Sequence, residues 1–128
     1  MKRHWIEYTE KRKQGPMTYW VHVPSPTDPT DERPPLPLAI PDKGFPYYFV
    51  EVDGFTFQFA SLDEMRVCIE TLGKKLLPNT LRLARDRGGD PREHWLRKMP
   101  DETKPWRYRE KAVKYLARAL QEFEAVRA

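Results

Sequence analysis

The chain has little cysteine: Cys68 is the only one. No disulfide can therefore form within the chain, and no cluster of thiolates can hold a metal ion. This usage is typical of a reducing compartment and predicts a cytoplasmic protein. Cys68 lies on the apolar side of a predicted helix, so we expect a buried structural thiol.

Long apolar runs are also missing. A membrane-spanning helix needs about 20 consecutive, mostly apolar residues, and no segment of this sequence approaches that length. The first residues are charged and are not followed by the apolar stretch of a secretion signal. The sequence therefore predicts a protein that is neither secreted nor embedded in a membrane.

Residues that carry chemistry are few. None of the histidines or serines lies in a nucleophile elbow, an HExxH motif or a Ser-x-x-Lys motif, and no glycine-rich loop is present to cradle a phosphate. We therefore expect no catalytic residues, no metal ligands and no cofactor, and we favour a protein that is not an enzyme. The alternative is an active site whose residues meet only in the folded chain, with Glu93 and His94 as candidates.

The sequence does contain enough apolar residues for a core. Of its 128 residues, 39% are hydrophobic and 12% are aromatic, which is too many for a disordered chain and typical of one globular domain. We predict a single domain over residues 1–128. Its parts are N-terminal strands (1–23), a proline-rich loop (24–41), a hairpin (45–60) and a helical half (61–128).

Alternating apolar residues predict two hairpins. Segments 4–9 and 17–23 alternate on either side of a charged loop, as in an antiparallel pair. The second hairpin turns at Asp53-Gly54, a dipeptide that supplies the two positive-φ positions of a type I′ turn. Because the turn sets the register, one hairpin face is entirely apolar. Its opposed pairs are Val52 and Phe55, Val50 and Phe57, and Tyr48 and Phe59.

Capping residues predict where the helices begin and end. Ser61 and Glu64 form a capping box, Gly73 ends the helix that follows, and Pro105 opens the last helix. The predicted helices cover 61–72, 80–87, 91–96 and 105–126. Together these elements predict an α+β fold, in which an antiparallel sheet of about four strands, arranged as two hairpins, packs against the C-terminal helices.

Charge is unevenly distributed along the chain. Residues 24–73 carry three Lys or Arg and nine Asp or Glu, whereas residues 74–128 carry fifteen and eight. The acidic part and the proline-rich loop offer a surface to a protein partner, so one alternative function is an adaptor or inhibitor subunit of a larger complex. Pairing between the acidic and basic parts of the same chain is the other interpretation.

The most specific pattern is a line of cations on the last helix, which we call the basic line. Arg107, Lys111, Lys114 and Arg118 recur at i, i+4, i+7 and i+11 and therefore lie along one side of the helix. Cations in such a line follow the phosphates of DNA or RNA. We predict a non-enzymatic binding module that contacts nucleic acid through this basic face. Further contacts are expected from Trp95, Arg97 and Lys98.

Two other interpretations bear on this surface. In the first, the basic line is only a solvated helix face, in which Glu110 pairs with Lys114 and Glu122 pairs with Arg118. In the second, aromatic side chains on the hairpin stack on nucleic-acid bases. The candidates for that platform are Tyr47 and Phe49.

Overall fold

The computed structural model describes residues 1–11, 22, 35, 37–75, 96 and 99–127. Within these residues, three antiparallel strands form one sheet in the order β1-β2-β3. The strands are β1 Lys2–Thr9, β2 Phe45–Val52 and β3 Phe55–Phe59. The helices are α1 Leu62–Leu72 and α2 Trp106–Arg127, and a 3-10 turn Asp101–Thr103 precedes α2. The fold is α+β, as predicted.

Strands β2 and β3 form the predicted hairpin with the predicted register. Asp53 and Gly54 have φ angles of 48° and 94°, the positive values that a type I′ turn requires. Val52 lies opposite Phe55, and the pairing continues to Tyr48 opposite Phe59. The predicted apolar face is turned toward the helices, where it forms one wall of the core.

The first predicted strand is present, but it pairs with β2. The register runs from Lys2 opposite Val52 to Thr9 opposite Phe45, so every residue of β1 has a partner on β2. The predicted strand 17–23 lies outside the described residues, apart from His22. The first predicted hairpin is therefore not confirmed, and neither is a sheet of about four strands.

Gly44 lies in the turn directly before β2, beside the last residue of β1. Gly44 has a φ of 102°, and its amide and carbonyl both bond to Ile40, at 2.9 and 2.8 Å. A Cβ at this position would lie 2.8 Å from the carbonyl carbon of Thr9 and closer still to its oxygen. Only glycine lets the two backbones approach this closely.

The core lies between the sheet and the two helices. Cys68 is buried in it as expected, and burial raises the pKa of its thiol far above the usual range. Small residues at the centre of the α2 face let this helix approach its neighbours closely. Val126, near the end of α2, lies outside this face and is 68% exposed. The buried apolar residues of the helices are Met65, Cys68 and Leu72 of α1 and Ala112, Leu116, Ala119 and Phe123 of α2.

Both described helices begin where the sequence predicts. The hydroxyl of Ser61 accepts a hydrogen bond from the amide of Glu64 at 3.2 Å. The Glu64 carboxylate bonds the amide of Ala60 at 3.1 Å, one residue before the amide that a capping box usually satisfies. Helix α1 ends at the predicted Gly73, and α2 begins directly after Pro105.

Part of the helical prediction lies outside the described residues. This applies to the short helices 80–87 and 91–96, except for Leu96, which is buried in the core. Among the residues that are described, no helix is long and apolar enough to cross a membrane. Helix α2 has 22 residues, but charged side chains cover its exposed side.

Candidate functional site

An open groove lies between the start of β1 and the exposed side of α2, and we call it the basic groove. Its volume is about 540 Å³. All four residues of the basic line contribute to its walls, and Lys2 joins them from β1. The residues that line the groove are Lys2, Arg107, Glu110, Lys111, Lys114, Tyr115 and Arg118.

The basic line follows from helix geometry and Lys2 from the sheet register. Eleven residues separate Arg107 from Arg118, so the basic line covers about 16 Å of the helix axis. Lys2 pairs with Val52, whose carbonyl oxygen accepts a 2.9 Å hydrogen bond from the hydroxyl of Tyr108 on α2. Burial raises the pKa of Tyr108 to about 12, so the hydroxyl remains a donor at neutral pH. This bond holds α2 beside the end of β1 that carries Lys2.

The cations of the basic line differ in how they are paired. Lys114 lies 3.7 Å from Glu110 and Arg118 lies 3.9 Å from Glu122, as the solvated-face interpretation predicts. Both cationic side chains are still about three-quarters exposed, at 77% and 76%. Exposed pairs of this kind stabilise weakly and yield to a stronger anion. Arg107 has no ion-pair partner in the described part of the chain.

Lys111 is held more firmly, by a carboxylate at the hairpin turn. Its ammonium group contacts Asp53, and the ammonium group of Met1 bonds the same carboxylate at 2.9 Å. These two hydrogen bonds, that from Lys111 first, lower the pKa of Asp53 from 3.8 to about 2. Asp53 is therefore charged at every physiological pH and offsets the charge of Lys111.

Tyr115 is the one aromatic side chain among the groove residues described, and its hydroxyl is fixed from behind. It lies 2.7 Å from Nδ1 of His4, whose Nε2 contacts the carboxylate of Glu122. The ring of His4 also forms T-shaped contacts with the rings of Tyr115 and Phe123, with centroids 5.6 and 5.2 Å apart. Burial and the charge of Glu122 raise the pKa of Tyr115, so the phenol stays neutral. The contacts to His4 hold the partly buried Tyr115 ring in place on the groove wall.

Arg109 is a residue that the sequence analysis missed, and its role is to stabilise the fold. Its side chain is only 3% exposed, and burial lowers the pKa of the guanidinium. The guanidinium donates to the carbonyl of Leu72 at 3.0 Å, Lys75 at 2.8 Å and Lys104 at 2.6 Å, and also to that of Lys74. A cation there satisfies the carbonyls at the end of α1 and opposes the negative end of its dipole.

A second cavity, of about 290 Å³, contains the residue types that an active site could use. His22 and Ser61 line it, with Nε2 of His22 2.7 Å from the serine hydroxyl. The Glu64 carboxylate approaches the same nitrogen, at 4.0 Å, whereas in a Ser-His-acid triad the acid holds the other nitrogen. The hydroxyl also caps α1, so the cluster is explained as a buried structural network.

The aromatic platform predicted on the hairpin is not available to bases. Tyr47 is only 1% exposed. Phe49 stacks on Trp5, with ring centroids 5.3 Å apart and planes 4° from parallel. The guanidinium of Arg3 also lies over the Trp5 ring, 4.9 Å from its centroid. The interpretation is therefore wrong for Tyr47, which is buried and cannot form a platform together with Phe49.

Three further predictions concern other surfaces. Trp95, Arg97 and Lys98, predicted to contact nucleic acid, lie outside the described residues, as does most of the proline-rich loop. Several acidic side chains of the central part pair within the chain, for example Glu51 with Arg3 at 2.6 Å. In the described ranges, no three His, Cys, Asp or Glu residues form a group that could hold a metal ion.

Comparisons of the chain with protein-family models, curated proteins and solved structures found no match. No relative therefore supplies a function by likeness. The functional conclusion rests on the charges and geometry of the basic groove and on the side chains that hold it in shape.

Proposed function

We propose that this protein is a non-enzymatic module that binds DNA or RNA through the basic groove. The observation that carries the proposal is the convergence of five cations from two elements, Lys2 of β1 and the basic line of α2, around one concavity. Among the described lining residues, only Glu110 carries a negative charge. The groove therefore presents a strong positive potential to an anionic ligand.

A nucleic-acid backbone suits this groove better than a single small anion does. Its phosphates repeat along the strand, and the cations of the basic line repeat along about 16 Å of helix. Each phosphate neutralised by Lys or Arg releases condensed counterions, which favours binding. Long, exposed side chains such as Arg107 and Lys114 adjust to the spacing of the phosphates without a change in the backbone.

The carboxylates around the groove do not cancel this potential. Glu110 and Glu122 pair with the basic line only at 3.7 and 3.9 Å and at the surface. Hydrogen bonds between a cation and a phosphate are stronger than such contacts. Lys111, which Asp53 holds, is expected to contribute least to binding because it must first leave that partner.

Charge reversal at Arg107 and Lys114 tests the proposal. Neither residue has a buried partner, so Arg107→Glu with Lys114→Glu should leave the fold intact. Binding to mixed-sequence DNA or RNA, measured by fluorescence anisotropy in low salt, should weaken at least about tenfold, because hydrogen bonds to charged groups contribute about 1.5–3 kcal/mol each.

A matched control carries the same change of charge outside the groove. Lys11→Glu with Lys74→Glu alters two exposed lysines that do not line it. We expect this variant to retain most of the affinity. Equal losses in the two double variants would mean that net charge, and not the basic groove, determines binding.

A further inference from the structure

We propose that the basic groove takes one strand of nucleic acid and stacks a base on Tyr115, so that single strands bind more tightly than duplexes. This inference rests on the proposed function and adds the class of ligand. Two observations carry it: the single line of cations on α2 and the aromatic ring on the groove wall.

The positive charge of the basic groove is confined to a narrow strip. Four of its five cations follow a single line on α2, and Lys2 joins them from β1. Asp53 lies at the hairpin turn beside Lys111, and Glu122 lies beside Arg118 and His4. One backbone fits along such a line.

A duplex has a second backbone, which has to lie outside the basic line. The nearest side chains there include Asp53 and Glu122, which are already paired with Lys111 and Arg118. A single strand has only one backbone to place, and it can follow the basic line throughout.

Tyr115 supplies the contact that a single strand alone can use. Its ring lines the basic groove between Lys111 and Arg118, which lie about one turn before and after it on the same helix. The bond to His4 fixes the phenol before any ligand arrives, so little side-chain freedom is lost on stacking. Bases of a single strand are free to stack on aromatic side chains, whereas those of a duplex are already stacked on one another.

The experiment measures binding of the full chain to four fluorescent ligands of equal length, all at the same low salt concentration. The ligands are a mixed-sequence DNA single strand, the same sequence as RNA, the matching DNA duplex, and a DNA strand whose central nucleotides lack bases. Both complete single strands should bind at least about fivefold more tightly than the duplex, because only their bases are free to stack on Tyr115. The abasic strand should lose at least about fivefold relative to the complete strand, since it keeps the phosphates and lacks the stacking base.

Two variants test whether Tyr115 is the residue on which the base stacks. Tyr115→Phe keeps the ring but loses the bond to His4, so it should bind the complete strand less tightly than the original protein and more tightly than Tyr115→Leu. Tyr115→Leu removes the ring, so its affinity should fall to that of the original protein for the abasic strand, with no further loss on the abasic strand itself. Circular dichroism and thermal melting confirm that each variant is folded, and the abasic comparison on the unaltered protein does not depend on them.

The outcomes separate this inference from the proposed function. A duplex that binds as tightly as the single strands would overturn the single-strand preference and leave nucleic-acid binding intact. Equal affinities for the abasic and complete strands would overturn stacking on Tyr115. Absence of binding to every ligand, even in low salt, would overturn the proposed function and this inference with it.

Discussion

Arg109 joins the end of α1 to the start of α2, and its replacement tests how the two helices are held together. Arg109→Met keeps much of the aliphatic stem and removes the guanidinium that donates to four carbonyl oxygens. Lys74 and Lys75 are exposed, so their carbonyls regain water, whereas Leu72 is buried and its carbonyl loses a partner. The variant therefore leaves at least one buried acceptor unsatisfied.

The expected cost follows from these bonds. Each hydrogen bond to a charged group contributes about 1.5–3 kcal/mol, and an unsatisfied buried acceptor costs about 1–3 kcal/mol. Relief from burying the guanidinium offsets part of the loss, since a buried charge is itself costly. We expect Arg109→Met to lower the free energy of unfolding by about 3 kcal/mol and the melting temperature by roughly 10 °C.

Urea unfolding followed by tryptophan fluorescence and thermal melting followed by circular dichroism measure this loss. Arg107→Met is the matched control, because Arg107 is two residues away, exposed and without an ion-pair partner in the described ranges. The control should change stability by less than about 0.5 kcal/mol. A loss below about 1 kcal/mol for Arg109→Met would refute the role of the guanidinium as the cap of α1.

Three further predictions concern the fold. Gly44→Ala should destabilise by at least about 2 kcal/mol in urea, because the new Cβ meets the Thr9 backbone at positive φ. Gly73→Ala, at a φ of −75°, should cost less, and equal losses would contradict the close approach. Asp53 has a lowered pKa, so its contribution to stability is present above pH 3.8 and declines as the pH falls to about 2. The urea midpoint of Asp53→Asn should therefore lie below that of the original protein at pH 6 and converge with it near pH 2; a constant difference would contradict the assignment. Ser61→Ala should cost about 1 kcal/mol as a lost helix cap, and a neutral result in thermal melting would contradict that cap.

Local rules made the hairpin and the helix boundaries predictable. The type I′ turn at Asp53-Gly54 fixes its own register, since two positive-φ residues leave no freedom to slip. The capping bond between Ser61 and Glu64 likewise spans only three residues. The basic line also came from a local rule, the period of 3.6 residues, which places its four cations on one side of a helix.

Contacts between distant residues account for what was missed. Lys2 lines the basic groove because β1 pairs with β2. The sequence instead favours pairing of the first strand with residues 17–23, because strands that are neighbours in sequence often form a hairpin. His4 holds Tyr115 across 111 residues of sequence, which no local pattern encodes. Arg109 did leave a sign, because it lies three residues before Ala112 and seven before Leu116, on the buried face of α2. A cation at such a position indicates a buried carbonyl or carboxylate partner.

The salt dependence of nucleic-acid affinity tests the central claim most directly. If four or five cations of the basic groove neutralise phosphates, the slope of log K against log salt should be about −3 to −4.5, depending on strandedness. Reversing Arg107 and Lys114 should make that slope shallower by about 2. A slope near zero, or the same slope in the variant and the original protein, would contradict phosphate binding in the basic groove.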